Sequence, residues 1–157
     1  MSVGVSMGNE VVIGKAELKD LDILYEIEKE SFPDNSFPKS FLKYLIIRPN
    51  SVFLNAKIND EIVGFIVGIL QQTQSIARIY SLDVKPEFRR RKIASKLIQT
   101  LEGEFKRRGV KLSILEVEVN NTAALNLYKK FGYKMRGVIK DYYGKKRDGF
   151  EMVKKLV

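Results

Sequence analysis

The chain has no cysteine and no histidine. Without cysteine there is no disulfide, no thiolate nucleophile and no thiolate metal ligand. Without histidine the Ser-His-Asp arrangement and most zinc geometries go as well. Any acid-base chemistry in these 157 residues falls to Glu, Asp, Tyr, Lys or water. Repeats, low-complexity linkers and an apolar run long enough to span a bilayer are also missing. The opening MSVGVSMGNE is small and polar, with neither the basic start nor the apolar stretch of a secretory signal. These absences lead us to expect a soluble cytoplasmic protein, with residues 1–10 as a flexible tail.

What is present, 45% hydrophobic and 30% charged residues, suits one compact domain over residues 1–157. Lys and Arg number 28 against 19 Asp and Glu, a formal charge of +9. That field concentrates anions, whether nucleic acid, acidic protein or a phosphorylated small molecule, without choosing among them.

Along the chain, VVIGKA (11–16) reads as a short strand, and helical spacing of Leu21, Leu24 and Ile27 predicts a helix over 19–32. SFPDNSFP breaks it, and Pro38 suits the first turn of a second short helix that buries Phe41, Leu42, Leu45 and Ile46. SVFLNAKI and EIVGFIVGIL are β-rich runs joined by Asn59-Asp60, a hairpin signal, and ARIYSLDV follows as a third strand. Gly64 and Gly68 mark a bulge or a close backbone approach. From about Arg90 to Arg108 the pattern is helical, with Ile93, Leu97, Leu101 and Phe105 on one face and Gly109 as a stop. LSILEVEV is a strand, NTAALNLYKKFG a helix opened by Asn121 and closed by Gly132, and the remainder a hairpin around YYGKKRD. The order βααβββαβαββ predicts an α/β fold of α+β type, a mixed sheet of about seven strands with about four helices, in which ARIYSLDV and LSILEVEV run parallel.

VKPEFRRRKIASKLI places Arg89, Arg90, Arg91 and Lys92 where a strand feeds a helix N-terminus. The helix dipole puts roughly half a positive charge there, so cations at that end cost stability unless something negative arrives. A pyrophosphate would satisfy both the free amides and the arginines. A solvated turn is the plainer alternative.

LDVKPEFRRRKIASKLI resembles the acetyl-CoA motif of the GCN5-related N-acetyltransferases (GNAT), Arg/Gln-x-x-Gly-x-Gly/Ala, with Arg89, Lys92 and Ala94 at its defined positions. LEVEVNNTAALNLYKKFGY is similar to the companion motif, and the likeness extends from the ESFP segment to the YY loop. It is nearest to the protein N-terminal acetyltransferases, including the ribosomal-protein alanine type. The resemblance implies the acyl-CoA N-acyltransferase fold and acetyl-CoA as cofactor. The main chain of Leu82, Asp83 and Val84 would pair with the pantetheine arm, and the amides of Arg90, Arg91, Lys92, Ile93, Ala94 and Ser95 would hold the pyrophosphate. Lys92 stands where the motif has its central glycine. If that position needs a left-handed backbone, the lysine costs about 1 to 2 kcal/mol.

Acetyl transfer to an amine needs a neutral amine and a proton for the departing thiolate. Alternation in LSILEVEV puts Glu116 and Glu118 on the face of Ile114, where burial would raise a carboxyl pKa; a water-exposed strand end is the alternative. By resemblance Glu116 is the general base, acting through water, and Tyr128 the general acid and a cofactor contact. Asn121 serves as helix cap and cofactor contact. Tyr142 and Tyr143 of the YY loop, with Glu28, Phe32 and Pro33 opposite, would line the acceptor entrance. Relatives acting on protein N-termini often carry His where Arg78 stands.

An α-amino group titrates near ~8 and lysine near ~10.4, so at pH 7 roughly a tenth of N-termini but under a thousandth of lysines are neutral. The expected acceptor is therefore a protein or peptide N-terminus, by direct transfer in a ternary complex, without metal, membrane or nucleic acid, in a monomer or homodimer. The competing readings are a small-molecule, polyamine or lysine acetyltransferase, a basic nucleic-acid-binding module, and a non-catalytic acyl-CoA binder.

Overall fold

A computed structural model describes residues 10–71 and 75–156. The expected tail at 1–10 therefore lies, but for Glu10, outside the described residues, as does the middle of QQTQS. The strands form a mixed seven-stranded sheet in the order β1-β2-β3-β4-β5-β7-β6, with four α-helices, α1 to α4. Their ranges follow within two compact units, which share β3, β4 and α3.

The first unit takes the chain up to Val67 together with Ser81–Leu101. β1 is Val12–Lys15, a 3₁₀ turn at Leu18–Asp20 leads into α1 at Leu21–Ser31, and α2 spans Lys39–Ile47. Pro38 sits one position before the first turn, as the extended N-cap residue of α2. β2 (Ser51–Ile58) and β3 (Glu61–Leu70) match the two β-rich runs end for end. Their link, Asn59-Asp60, has φ of 51° and 65°, the left-handed pair that a tight hairpin turn requires. β1 pairs antiparallel with β2 from Val12↔Lys57 to Lys15↔Leu54. Leu24 and Ile27 of α1, Leu42 and Leu45 of α2, and Ile93 and Leu97 of α3 (Ile93–Arg107) are all buried. A Cβ at Gly64 would lie 2.6 Å from the carbonyl oxygen of Asp83 in β4 (Ile76–Val84), which is the close backbone approach the sequence suggested.

α3 begins at Ile93, three residues later than its hydrophobic period indicated. Arg89 to Lys92 form an irregular turn instead, because Arg90 and Lys92 adopt left-handed φ values of 65° and 62°, and such residues do not continue a right-handed helix.

The second unit takes Gly68–Tyr80 and the chain from Glu102 onward. Here β4 runs parallel to β5 (Leu112–Glu118) from Ile76↔Leu112 to Ile79↔Leu115. β5 pairs antiparallel with β7 (Gly149–Lys155), and β7 with β6 (Lys134–Ile139). α4 spans Thr122–Lys130, capped by Asn121, whose Oδ1 accepts from the Ala124 amide at 3.2 Å, and Gly132 follows at φ 93°. A Cβ at Gly68 would lie 2.4 Å from the Phe105 ring. Under this packing the Tyr133 hydroxyl, buried, donates to Glu102 at 2.9 Å and lies 2.8 Å from Ser113 Oγ, while Lys154 donates to the other Glu102 oxygen at 2.7 Å. Among the described residues no helix is long and apolar enough to cross a membrane.

Candidate active site

In the first unit, the turn between β4 and α3 gathers main-chain donors that have no partner among the described residues. The first helical bond of α3 runs from the Lys96 amide to the Lys92 carbonyl at 3.1 Å, which leaves the amides of Ile93, Ala94 and Ser95 as the donors every helix N-terminus lacks partners for. The amides of Arg90, Arg91 and Lys92 also find no acceptor among the described residues. Left-handed residues at Arg90 and Lys92 flank Arg91, the alternation of backbone hand from which anion-binding nests are made. No acidic residue stands in the first turn of α3, and among the described residues none of Arg89, Arg90, Arg91 and Lys92 forms an ion pair. Arg89 Nε donates to the Val84 carbonyl at 3.2 Å, pinning the end of β4, and the Arg91 guanidinium lies 5.1 Å over the Phe88 ring.

Leu82 and Val84 are half-buried, whereas the Asp83 side chain is sealed inside with Ser81 and Glu28. Glu28 accepts from the Phe37 amide and from Ser81 Oγ, each at 2.9 Å. It is thus an interior anchor of the segment after α1, where Phe32 is half-buried and Pro33 exposed. Burial, then the neighbouring Glu28 carboxyl, push the Asp83 carboxyl well above its usual range.

In the second unit, Arg78 of β4 faces Ile114 in the parallel register, so its side chain reaches diagonally to Glu116 and forms an ion pair with it. The Glu116 side chain is 6% exposed, and Tyr142 donates to its second oxygen at a long 3.4 Å. The sequence foresaw the burial of Glu116 but not this counter-charge. Its one legible trace was an arginine inside an apolar strand. Glu118 departs from expectation more sharply. Arg147 grips it with two hydrogen bonds of 2.8 Å, which hold its carboxyl below the usual range rather than above it. Tyr128 is buried, edge-on to Tyr133 at 5.6 Å. The Tyr142 and Tyr143 rings meet edge to face at 4.9 Å. Burial, followed by the neighbouring Tyr142, Tyr128 and Glu118, pushes the Tyr143 phenol up. A carboxylate, its cation and three tyrosines thus gather within one unit.

Residues 21–133 match the profile of the Acetyltransferase (GNAT) family. The chain belongs to that family. An uncharacterised N-acetyltransferase of Methanocaldococcus jannaschii is 35% identical over 147 residues, 92% of each chain. An N-alpha-acetyltransferase of Sulfurisphaera tokodaii is 29% identical over 160 residues, 95% of each chain. Among solved structures, the PaiA N-acetyltransferase of Thermoplasma acidophilum, determined in complex with coenzyme A, is 26% identical with a TM-score of 0.79, covering 93% of this chain and 99% of that one. This protein is therefore a GNAT N-acetyltransferase, and its seven strands and four helices are that fold.

Proposed function

We propose that this acetyltransferase moves an acetyl group from acetyl-CoA to the α-amino group at a protein or peptide N-terminus, by direct transfer in a ternary complex. The observation that carries the reading is the nest of unpartnered amides from Arg90 to Ser95 at the start of α3. A diphosphate has the charge and the acceptor oxygens such a nest lacks, so the residues present fit coenzyme A. Bound acetyl-CoA supplies the acetyl group as a thioester and leaves as coenzyme A. Leu82, Asp83 and Val84 are the β4 residues we assign to its pantetheine arm. The Lys85 amide donates to the Val63 carbonyl of β3, so by alternation the main chain of Leu82 and Val84 faces the other way, and the Val84 carbonyl there already accepts from Arg89. Asn121 is a further contact from the cap of α4.

Glu116 takes the proton that the amine must lose, directly or through a water, and Tyr128 returns one to the departing sulfur. The Arg78 ion pair holds the Glu116 carboxylate in place, and an α-amine near ~8 has less need of a strong base than a lysine near ~10.4. With no cysteine in the chain, no thiol is available to carry the acetyl group covalently. Tyr142 and Tyr143, with Phe32 and Pro33, are our acceptor-side residues, and the relative named as an N-alpha-acetyltransferase supports that acceptor. The family match runs through both units, which supports one acetyltransferase domain over the chain.

The test is incubation with acetyl-CoA and short peptides that differ at residue one, some with a blocked N-terminus and a free lysine, read by mass spectrometry. Acetylation confined to free N-termini is the expected result. Modification of the blocked, lysine-bearing peptides at equal rate would overturn the assignment.

A further inference from the structure

The interior of the first unit holds two carboxyl groups that acetyl transfer as described does not use. Glu28 and Asp83 are each 1% exposed. Ser81 Oγ lies 2.6 Å from Asp83 Oδ1 and 2.9 Å from Glu28 Oε1. A hydroxyl has one hydrogen to donate, so with both acids ionised one of these contacts would set bare lone pairs against each other. The arrangement closes if Asp83 is the neutral acid: its O–H donates to Ser81, Ser81 donates to one Glu28 oxygen, and the other Glu28 oxygen accepts from the Phe37 amide. The second Asp83 oxygen, buried without a partner, is then a carbonyl oxygen, which costs less to leave unmet than a carboxylate oxygen.

We propose that Asp83, Ser81 and Glu28 form a one-proton relay that fixes residues 32–38 on the acceptor side, making Asp83 and Glu28 positioning residues for the amine substrate. The proposal rests on the reading of Phe32 and Pro33 as acceptor-side residues. The surroundings favour the neutral acid. From α1 the charged group facing Asp83 is Glu28, which raises its pKa; from the turn before α3 it is Arg89, whose opposing effect is the smallest contribution. β3 brings Gly64 against the Asp83 carbonyl, and its acidic residue, Glu61, is paired with Lys85 at 3.2 Å. Loss of the proton at high pH would place two negative charges in one dry pocket and release the hold on Phe37.

Asp83→Asn retains a neutral donor to Ser81 but cannot titrate, whereas Ser81→Ala cuts the relay. In the unmodified protein Asp83 should contribute a loss of denaturation midpoint as pH rises, starting from the ordinary aspartate range near ~4 and opposite in sign to the acid-side contribution of Glu118, because the folded state holds a proton at Asp83 that the unfolded state has lost. The slope is read as the difference between the unmodified protein and Asp83→Asn. Asp83→Asn should remove that slope and raise the midpoint at pH 8. Ser81→Ala should raise the acceptor KM roughly tenfold, leave the coenzyme A Kd within about twofold, and speed hydrogen exchange at the Phe37 amide roughly tenfold. An unchanged slope in Asp83→Asn, or a Phe37 amide indifferent to Ser81→Ala, would overturn the relay whether or not the protein proves to act on N-termini. If slope and exchange behave as expected but acceptor KM does not move, the relay stands and its role toward the amine is refuted.

Discussion

Lys92 shows how one residue can be legible in kind and not in conformation. Its place in the motif is visible in the sequence, but only the backbone shows that it takes the left-handed φ of 62° that a glycine would adopt freely. Lys92→Gly should therefore stabilise the fold by roughly 0.5–1 kcal/mol, the left-handed penalty less the extra chain entropy of glycine, read as a higher melting temperature by calorimetry. Glu116 and Arg78 divide the chemistry at the same scale. Glu116→Gln should lower kcat on the order of a hundredfold, with coenzyme A affinity nearly unchanged. Arg78→Gln, which removes the ion-pair partner of Glu116, should lower kcat roughly tenfold with coenzyme A affinity nearly unchanged; an unchanged kcat would exclude a part for the pair in the chemistry. Glu118, held low by Arg147, adds stability that is present above the ordinary glutamate pKa and lost as pH falls through its folded value. Arg147→Gln should flatten that acid-side loss in a pH series of denaturation midpoints.

At the scale of elements, period and turn chemistry carried most of the fold. β2 and β3 were legible to the residue because a β-rich run ends at Asn59-Asp60, whose left-handed backbone these side chains tolerate. The start of α3 was not, because apolar spacing continues through Ile93 regardless of how the four preceding cations are arranged. Gly64 and Gly68 announced close approaches without naming the partner, which depends on strand neighbours far away in sequence. Gly68→Ala should cost about 1–3 kcal/mol, since its Cβ would enter the Phe105 ring position, and urea denaturation would show it. The Arg78–Glu116 pair was hidden for the same reason: it exists only because the parallel register sets Arg78 beside Ile114. Neither strand by itself implies it.

For the whole molecule, the charge of +9 admits two kinds of anionic partner that salt separates. A nucleic-acid complex using many phosphate contacts loses affinity steeply between about 50 and 200 mM salt, whereas a nest of amides around one diphosphate should lose far less. The central claim is that the turn from Arg89 to Ser95 grips that diphosphate. Isothermal titration of coenzyme A into the protein and into an Arg91→Glu variant tests it most directly. The account expects one saturable site, weakened roughly tenfold or more in the variant. Absence of saturable heat, or equal affinity in the two proteins, would contradict it.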